Sequence, residues 1–511
     1  MNILFVRPPR LTWSHVDEDS NNILPLAYPC LAAQVRRDLP KIKMEILDCN
    51  IEKLGWRRLE QYIKDNRYDV LALGSETVYV DADKRVLRWS KQYHPEAVRI
   101  VGGRHYPFNM RDAFDDDLAH FIVRGEGEIT FVRLLEQLQS PAPKYEGVQG
   151  LIWRDSNGAI RDEGWRPLAQ NLDDFPLPAY DLTPVEKYAR HSAFWTNGIT
   201  IEHGRGCEMG CKFCTFWPQM ARWNPQPYGE WAPQPYYRTK SVERTVEEVD
   251  WLINGYKKGL LFFVDGTFEH DVDWTNRFFD EILRRGDKFV FWTFSRADTL
   301  LKCEEQGVLE KGVRAGWRHI LIGAEHSERM ALDYLRKPGE NADRVLKLVR
   351  LLTKKYPEVI SHVTFMGGVP EDNKTTLKRL YKYAVNLKCD IASMHFLTPM
   401  PGTELYEEAK REGLLKVFDH TKYNWFTPVM ATRYMSIEDL DRFWAPKILS
   451  VNFHHPLHKI KRMFTGDPEN RRVMRIGFLM FFRYILSYLL MFFRKPGTKF
   501  RSFITPAWYD S

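Results

Sequence analysis

Short apolar runs alternate with amphipathic stretches along this chain in two separate series. In the first, apolar runs at 3–6, 44–47, 70–73, 98–101 and 121–123 have the length of strands, and stretches such as 31–39 and 56–63 carry apolar residues three to four apart. Near-continuous apolar strands between amphipathic helices predict βαβ units and an α/β fold, here a Rossmann-like open parallel sheet over 1–140. In the second series, runs at 199–202, 260–264, 289–294, 319–322, 359–365 and 391–397 predict six parallel strands with intervening helices. Such a repeat predicts a partial (β/α)6 TIM-type barrel over 196–403, with its site at the carboxyl ends of the strands. Between the series, residues 141–195 hold Pro141, Pro143, Pro176 and Pro178 and a hairpin pattern across 151–160, which reads as a linker. After residue 403 the pattern gives way to a mostly helical C-terminal region, 404–511. Its Trp425, Phe426 and Trp444 suit either a cover over the open end of the strands or packing anchors for that region.

Composition narrows the class. A chain of 511 residues with 44% hydrophobic content is globular and long enough for two or three domains. The first residues, Met1 to Val6, lack a basic region, a long apolar run and a small-residue cleavage site, so no leader is expected and the expected compartment is the cytoplasm. The cysteine total is seven, an odd number, and Cys30, Cys49, Cys303 and Cys389 stand singly, which argues against a secreted disulfide framework. The net charge of +7 is modest, and its cations gather around an apolar segment instead of interleaving with aromatics, which argues against nucleic-acid binding.

The remaining three cysteines, Cys207, Cys211 and Cys214, have three and then two residues between them, directly after the first strand of the second series. Structural zinc needs four protein ligands, and only His203 is near enough in sequence to complete such a set. An iron–sulfur cluster held by three thiolates instead keeps one iron open to an outside ligand. The other strand ends of this series carry Asp265-Gly266, Ser295-Arg296 and Glu325, then glycine- and proline-rich turns at 367–372 and 398–403. Each of these polar residues alone is open to a capping or ion-pair role. His203, His362 and His395 lie on strands, where a histidine is more often a packed core residue than a catalyst. In the first series the strand ends carry Ser75-Glu76-Thr77, Gly102-Gly103-Arg104 and Gly125-Glu126-Gly127. Glycines there suit tight strand-to-helix turns and also close approach of backbone to a ligand.

The cysteine loop, with Phe213 just before its last cysteine, resembles the radical S-adenosylmethionine superfamily. The resemblance implies a 4Fe-4S cluster on Cys207, Cys211 and Cys214, whose open iron is chelated by S-adenosylmethionine. Reductive cleavage then gives a 5'-deoxyadenosyl radical that abstracts hydrogen. It also implies S-adenosylmethionine contacts from Phe213, Asp265, Gly266, Ser295, Arg296 and Glu325. The upstream domain resembles the cobalamin-binding domain of cobalamin-dependent radical enzymes, which implies cobalamin at Ser75, Glu76, Thr77, Gly102, Gly103, Arg104, Gly125, Glu126 and Gly127. One departure stands out: the Asp-x-His-x-x-Gly element that places histidine on cobalt is absent, and the setting of His105 does not replace it.

The family's commonest chemistry implies methylation of an unactivated carbon. The anaerobic cyclase branch of tetrapyrrole synthesis implies a non-methylating oxidation or ring closure. A cluster or cobalamin sensor tethered to a membrane is the reading from another class. A flavodoxin or ferredoxin is the expected electron donor. Residues 476–493 are the most apolar stretch, interrupted by Arg483 and flanked by cations on both sides, which suits a helix lying in an anionic membrane surface or a buried core helix. Peripheral membrane contact is therefore expected through 471–501, with a hydrophobic substrate.

Overall fold

The computed structural model describes residues 1–10, 23–189, 197–225, 231–468, 470–476, 479 and 509. The chain is mixed α/β with two parallel sheets, and it divides into two compact units, one built around Met1–Ser192 and the other chiefly from Gln234–Leu479.

The first unit is a seven-stranded sheet of β1 (Asn2–Arg7), β2 (Lys43–Asp48), β3 (Val70–Ser75), β4 (Val98–Gly103), β5 (Phe121–Val123), β6 (Leu151–Arg154) and β7 (Ile160–Asp162), in the order β2-β1-β3-β4-β5-β6-β7. Strands β1 to β5 pair in parallel, and β6 and β7 are antiparallel additions. Alternate residues serve opposite faces: Leu4, Val6, Leu71 and Leu73 pack with the helices Trp56–Asp65 and Val80–Tyr93, while Ile3, Phe5, Val70 and Ala72 pack with Ala27–Asp38 and Gly127–Leu138. Burial on both faces is why these strands read as unbroken apolar runs. The order reverses between β1 and β3, and that crevice is where open α/β sheets take ligands.

The stretch read as a linker is not a free connector. Its hairpin closes over the short β5, with Leu151 and Ile152 fully buried and Trp153 8% exposed. Without it β5 would be an open, apolar edge. The prolines beyond the hairpin run against the same unit, where Ala179 N–H donates to the Pro29 carbonyl and Arg36 pairs with Asp181 at 2.8 Å.

The second unit is a six-stranded, all-parallel sheet. Its strands are β8 (Gly198–Ile201), β13 (Leu260–Phe263), β14 (Val290–Ser295), β15 (Trp317–Glu325), β16 (Ile360–Gly367) and β17 (Ile391–Phe396), each beside its predecessor. Helices including Val272–Arg285, Ala342–Lys355 and Lys374–Leu387 connect them. Between β8 and β13 in the chain come two small strand pairs that the sequence pattern did not predict: β9 (Gly204–Cys207), antiparallel with β12 (Tyr236–Thr239), and β10 (Arg222–Pro225) with β11 (Trp231–Gln234), the latter pair falling almost wholly in the first unit. The C-terminal region packs along β17. Trp444 is fully buried against Gly367, where an added Cβ would stand 2.5 Å from the indole, and its Nε1 donates to the His395 carbonyl at 3.0 Å. Trp444 is therefore a packing anchor. Trp425 is 38% exposed, and its carbonyl accepts from Phe396 N–H beside the edge strand.

No described helix is long and apolar enough to cross a membrane. The apolar stretch 476–493, apart from Ile476 and Leu479, lies outside the described residues, as do Arg494, Lys495, Lys499 and Arg501.

Candidate functional site

Cys207 ends β9, and glycine is what lets β9 exist. Gly206 has φ +85°, and a Cβ there would stand 2.0 Å from the Tyr236 carbonyl oxygen on β12. Beyond Cys207 the loop is bolted at its middle: Lys212 N–H donates to the Leu335 carbonyl at 3.0 Å, and its own carbonyl accepts from Leu405 N–H at 3.2 Å. Trp217 Nε1 donates to the Cys211 carbonyl at 3.0 Å, and Phe216 N–H points at Cys214 Sγ at 3.4 Å. Phe213 wedges the loop into an apolar cluster with Leu335, Met366, Leu397, Met400 and Leu405.

None of the three thiols is in a disulfide, and all are partly exposed. Burial pushes the Cys211 thiol up to about 11, with the charge of Cys214 adding to it while Lys337 and Arg296 pull it back. Three thiols carried on one short loop, with the charges of Lys337 and Arg296 acting on Cys211, fit an iron–sulfur cluster, which takes thiolates and carries net negative charge with them. They do not fit four-ligand zinc. The ring of His203 lies with Nδ1 3.1 Å from Asp265 Oδ2 and Nε2 3.2 Å from Tyr237 Oη, and it stacks on Trp274 at 4.1 Å.

The polar residues predicted at the strand ends lie around this loop in differing states. Asp265 is wholly buried, and its Oδ1 accepts from His203 N–H at 3.1 Å and Gly204 N–H at 2.5 Å, fixing the turn that leads into β9. Gly266 is partly exposed, and an added Cβ would sit 2.9 Å from the Phe216 ring and 3.4 Å from Cys207 Cβ, so a side chain there would press on the cysteine loop. Ser295 shares a hydrogen bond of 3.0 Å with Thr293, and the Arg296 guanidinium is held on Asp298 at 3.0 and 2.8 Å. Glu325 ends β15 at φ +61°, a conformation that costs a non-glycine residue on the order of 1–3 kcal/mol and is sustained only by its surroundings. Its partner is Lys337, at 2.6 Å, and both side chains are no more than 10% exposed.

Lys337 was not singled out from sequence. It follows a short helix, and its only local signal is the Lys337-Pro338-Gly339 turn. Glycine at 323 makes room for the pair, since a Cβ there would stand 2.6 Å from both Glu325 Oε1 and Lys337 Nζ. Glu340 was missed too. It is fully buried, its Oε1 accepts from Asp298 N–H at 3.1 Å, and burial pushes its carboxyl up to about 7. The strand histidines form an interior row: His319 Nε2 lies 3.2 Å from His362 Nδ1, and His362 Nε2 lies 2.6 Å from Ser393 Oγ. Burial lowers His362 to about 3 and His395 to about 4, so both rings are neutral.

In the first unit, Ser75, Glu76 and Thr77 lie at the switch point, beside the end of β4. Gly103 has φ +85°, a Cβ there would stand 2.6 Å from the Ser75 carbonyl oxygen, and Arg104 N–H donates to that oxygen at 2.9 Å. Gly102 approaches the Val123 carbonyl, where a Cβ would stand 3.0 Å away. Gly125, at φ +66°, and Glu126 lead into the helix that starts at Gly127. Glu76 and Gly103 are exposed, and Gly102, Arg104, Gly125, Glu126 and Gly127 partly so. This open edge lined by backbone and small residues fits a large planar cofactor approaching closely. His105 is fully buried, with Nε2 2.7 Å from Asp112 Oδ2 and Nδ1 3.3 Å from Thr77 Oγ1, so both ring nitrogens face protein side chains.

Comparison with known proteins finds a family match for each of the two series of strands. Residues 201–384 match the radical SAM superfamily and residues 16–135 match the B12 binding domain. The chain is 28% identical to an uncharacterized methyltransferase of Pyrococcus horikoshii, across 91% of this chain and 98% of that protein. It is 25% identical to the anaerobic magnesium-protoporphyrin IX monomethyl ester cyclase of Cereibacter sphaeroides, across 80% of this chain and 65% of that one. Among solved structures, the radical S-adenosylmethionine methyltransferase TsrM from Kitasatospora setae, with cobalamin and a [4Fe-4S] cluster bound, aligns with a TM-score of 0.66 at 16% identity, covering 93% of this chain and 98% of that one. The cobalamin-dependent S-adenosylmethionine radical enzyme OxsB aligns with a TM-score of 0.69 at 16% identity, covering 96% and 72%.

The two sheets and their edges thus define a class that joins a cobalamin-binding domain to a radical domain. The chain belongs to the cobalamin-binding radical S-adenosylmethionine enzymes, and its cofactors are a 4Fe-4S cluster, S-adenosylmethionine and cobalamin.

Proposed function

We propose that this enzyme methylates an unactivated carbon of a hydrophobic or membrane-associated metabolite. The observation that carries the reading is the similarity to the Pyrococcus horikoshii methyltransferase over nearly the whole of both chains. Similarity to the hopanoid C-3 methylase of Methylococcus capsulatus, 26% over 85% of this chain, favours an apolar substrate. In this reading the second sheet is a partial (β/α)6 TIM-type barrel and the first a Rossmann-like domain. Cys207, Cys211 and Cys214 hold the cluster, and Phe213 and Asp265 fix the loop that carries them. Gly266, Ser295, Arg296 and Glu325 recognise S-adenosylmethionine, and Lys337 joins them by holding Glu325. Ser75 to Thr77, Gly102 to Arg104 and Gly125 to Gly127 receive cobalamin without a histidine on the metal. When bound, these cofactors supply a methyl group and a hydrogen-abstracting radical. A flavodoxin or ferredoxin supplies electrons, and residues 471–501 make peripheral membrane contact.

The similarity to the anaerobic cyclases supports a second reading, oxidation or ring closure of a tetrapyrrole or lipid without methylation. One experiment separates the two. The anaerobically reconstituted, reduced protein is supplied with S-adenosylmethionine bearing a deuterated methyl group and an apolar extract of the producing cells, and products are weighed by mass spectrometry. A product carrying the label supports methylation. An unlabelled product that has lost hydrogens or gained oxygen overturns it in favour of the cyclase-type reading.

A further inference from the structure

The short helix Pro456–Arg462 is turned inside out. Its cationic side faces the protein: Arg462, 7% exposed, donates Nε to Asp390 Oδ1 at 2.6 Å and Nη2 to the Val359 carbonyl at 2.9 Å. Lys459 Nζ donates to the Cys389 carbonyl at 3.0 Å, and His455 Nε2 lies 3.1 Å from the Val385 carbonyl. The apolar side faces water. Leu457 is 81% exposed, Ile460 43%, Phe464 just past the helix 65%, and Phe453 just before it 41%.

Spacings of three and four put Leu457, Ile460 and Phe464 on one stripe, and Phe453 adds to the exposed apolar surface just before the helix. Ten large apolar side chains are exposed among the described residues, and four of them fall in these twelve positions, so the stripe is not ordinary surface scatter. Each forgoes about 1.5–3 kcal/mol by staying in water. The inward cations are meanwhile anchored by a buried carboxylate and main-chain carbonyls, which prevents the helix from rolling over to hide the stripe. Burial pushes the Asp390 carboxyl up, but His458, Arg462 and the Ser361 N–H outweigh it and hold the group well below the usual carboxylate range.

The stripe's outward neighbours choose its occupant. Lys461 is exposed beside it, and the Arg475 guanidinium lies over the Phe464 ring at 5.3 Å. A two-fold contact with a second copy would set Lys461 and Arg475 against their own counterparts. Protruding apolar residues rimmed by cations instead match the interface of an anionic bilayer, into which such a face sinks about 5–10 Å. We propose that Phe453, Leu457, Ile460 and Phe464 form a docking surface for an anionic lipid membrane, separate from the apolar tail and independent of the reaction catalysed.

The test is flotation of the full chain, tail intact, with vesicles of phosphatidylcholine containing about 30% phosphatidylglycerol, against phosphatidylcholine alone. The wild type is expected to float with the anionic vesicles, and Leu457→Ser/Phe464→Ser to lose about tenfold or more of that binding. Lys461→Glu is expected to weaken binding to anionic vesicles only. Both serines replace largely exposed side chains, so iron content and thermal midpoint serve as folding controls. Failure of the wild type to float, or equal flotation of wild type and double variant, overturns the proposal. So does lipid-free self-association of the wild type that the double variant abolishes, because a second copy then covers the stripe.

Discussion

Asp83 is a single residue with a measurable signature. It is fully buried on the helix Val80–Tyr93. Burial pushes the group up to about 7, opposed only in part by the charge of Arg10 and the Ser75 hydroxyl. A carboxyl whose folded pKa lies above its unfolded value of 3.8 makes the folded state the better proton binder. Stability from this group is therefore full below about pH 4 and is lost as pH rises to about 7. Asp83→Asn removes that dependence, so its stability relative to wild type is expected to rise by about 1 kcal/mol between pH 6 and pH 8. Chemical denaturation at the two pH values checks it, and a flat difference refutes it. The Glu325–Lys337 pair gives a second test. Lys337→Met leaves a buried carboxylate unpaired and is expected to cost about 3 kcal/mol. Glu325→Gln/Lys337→Met should recover most of that loss in denaturant melts. Its affinity for S-adenosylmethionine, read by equilibrium binding, should stay low if the pair recognises that cofactor. The pair was not fully legible in sequence. Glu325 stood at a strand end and could be singled out, whereas the Lys337 that completes it comes from a turn twelve residues on and is placed by the fold alone.

At the scale of elements, the eleven parallel strands were legible because burial on one or both faces forces apolar side chains at every or every second position. The β9–β12 pair was not. Gly204-Arg205-Gly206-Cys207 has almost no strand propensity, and it pairs because its glycines tolerate contact: a Cβ on Gly204 would stand 2.7 Å from Tyr237 Oη. Gly206→Ala must strain a φ of +85° and clash with the Tyr236 carbonyl, so the variant is expected to lose about 2 kcal/mol or more and most of its iron after reconstitution. Iron and sulfide assays together with a thermal melt measure both effects, and full iron content would show that β9 does not position the cysteines. Gly103→Ala, also at φ +85°, clashes with Ser75 at the edge of the other sheet. Its expected loss is cobalamin binding, read by absorbance, with iron content unchanged.

For the whole molecule, the C-terminal region depends on one buried cluster, in which Arg462 and Ser361 both bond Asp390. Arg462→Met leaves that carboxylate without its main cation and is expected to cost about 3 kcal/mol, read from the denaturation midpoint. The sequence by itself determined the class of the chain: the cysteine spacing, the order of strand-end residues and two series of apolar runs are local signals, written within a few residues of one another. It also placed the tail's apolar segment and its cations. What only the tertiary structure decided depends on residues far apart in the chain. The hairpin at Leu151–Arg154 became part of the first sheet because β5 needs a covered edge. Asp265 became the bolt of the cysteine loop because its carboxylate meets main-chain N–H groups some sixty residues earlier. Periodicity predicts that a helix has an apolar side but not which way that side faces, and Asp390 turned Lys459 and Arg462 of Pro456–Arg462 inward and its leucine outward.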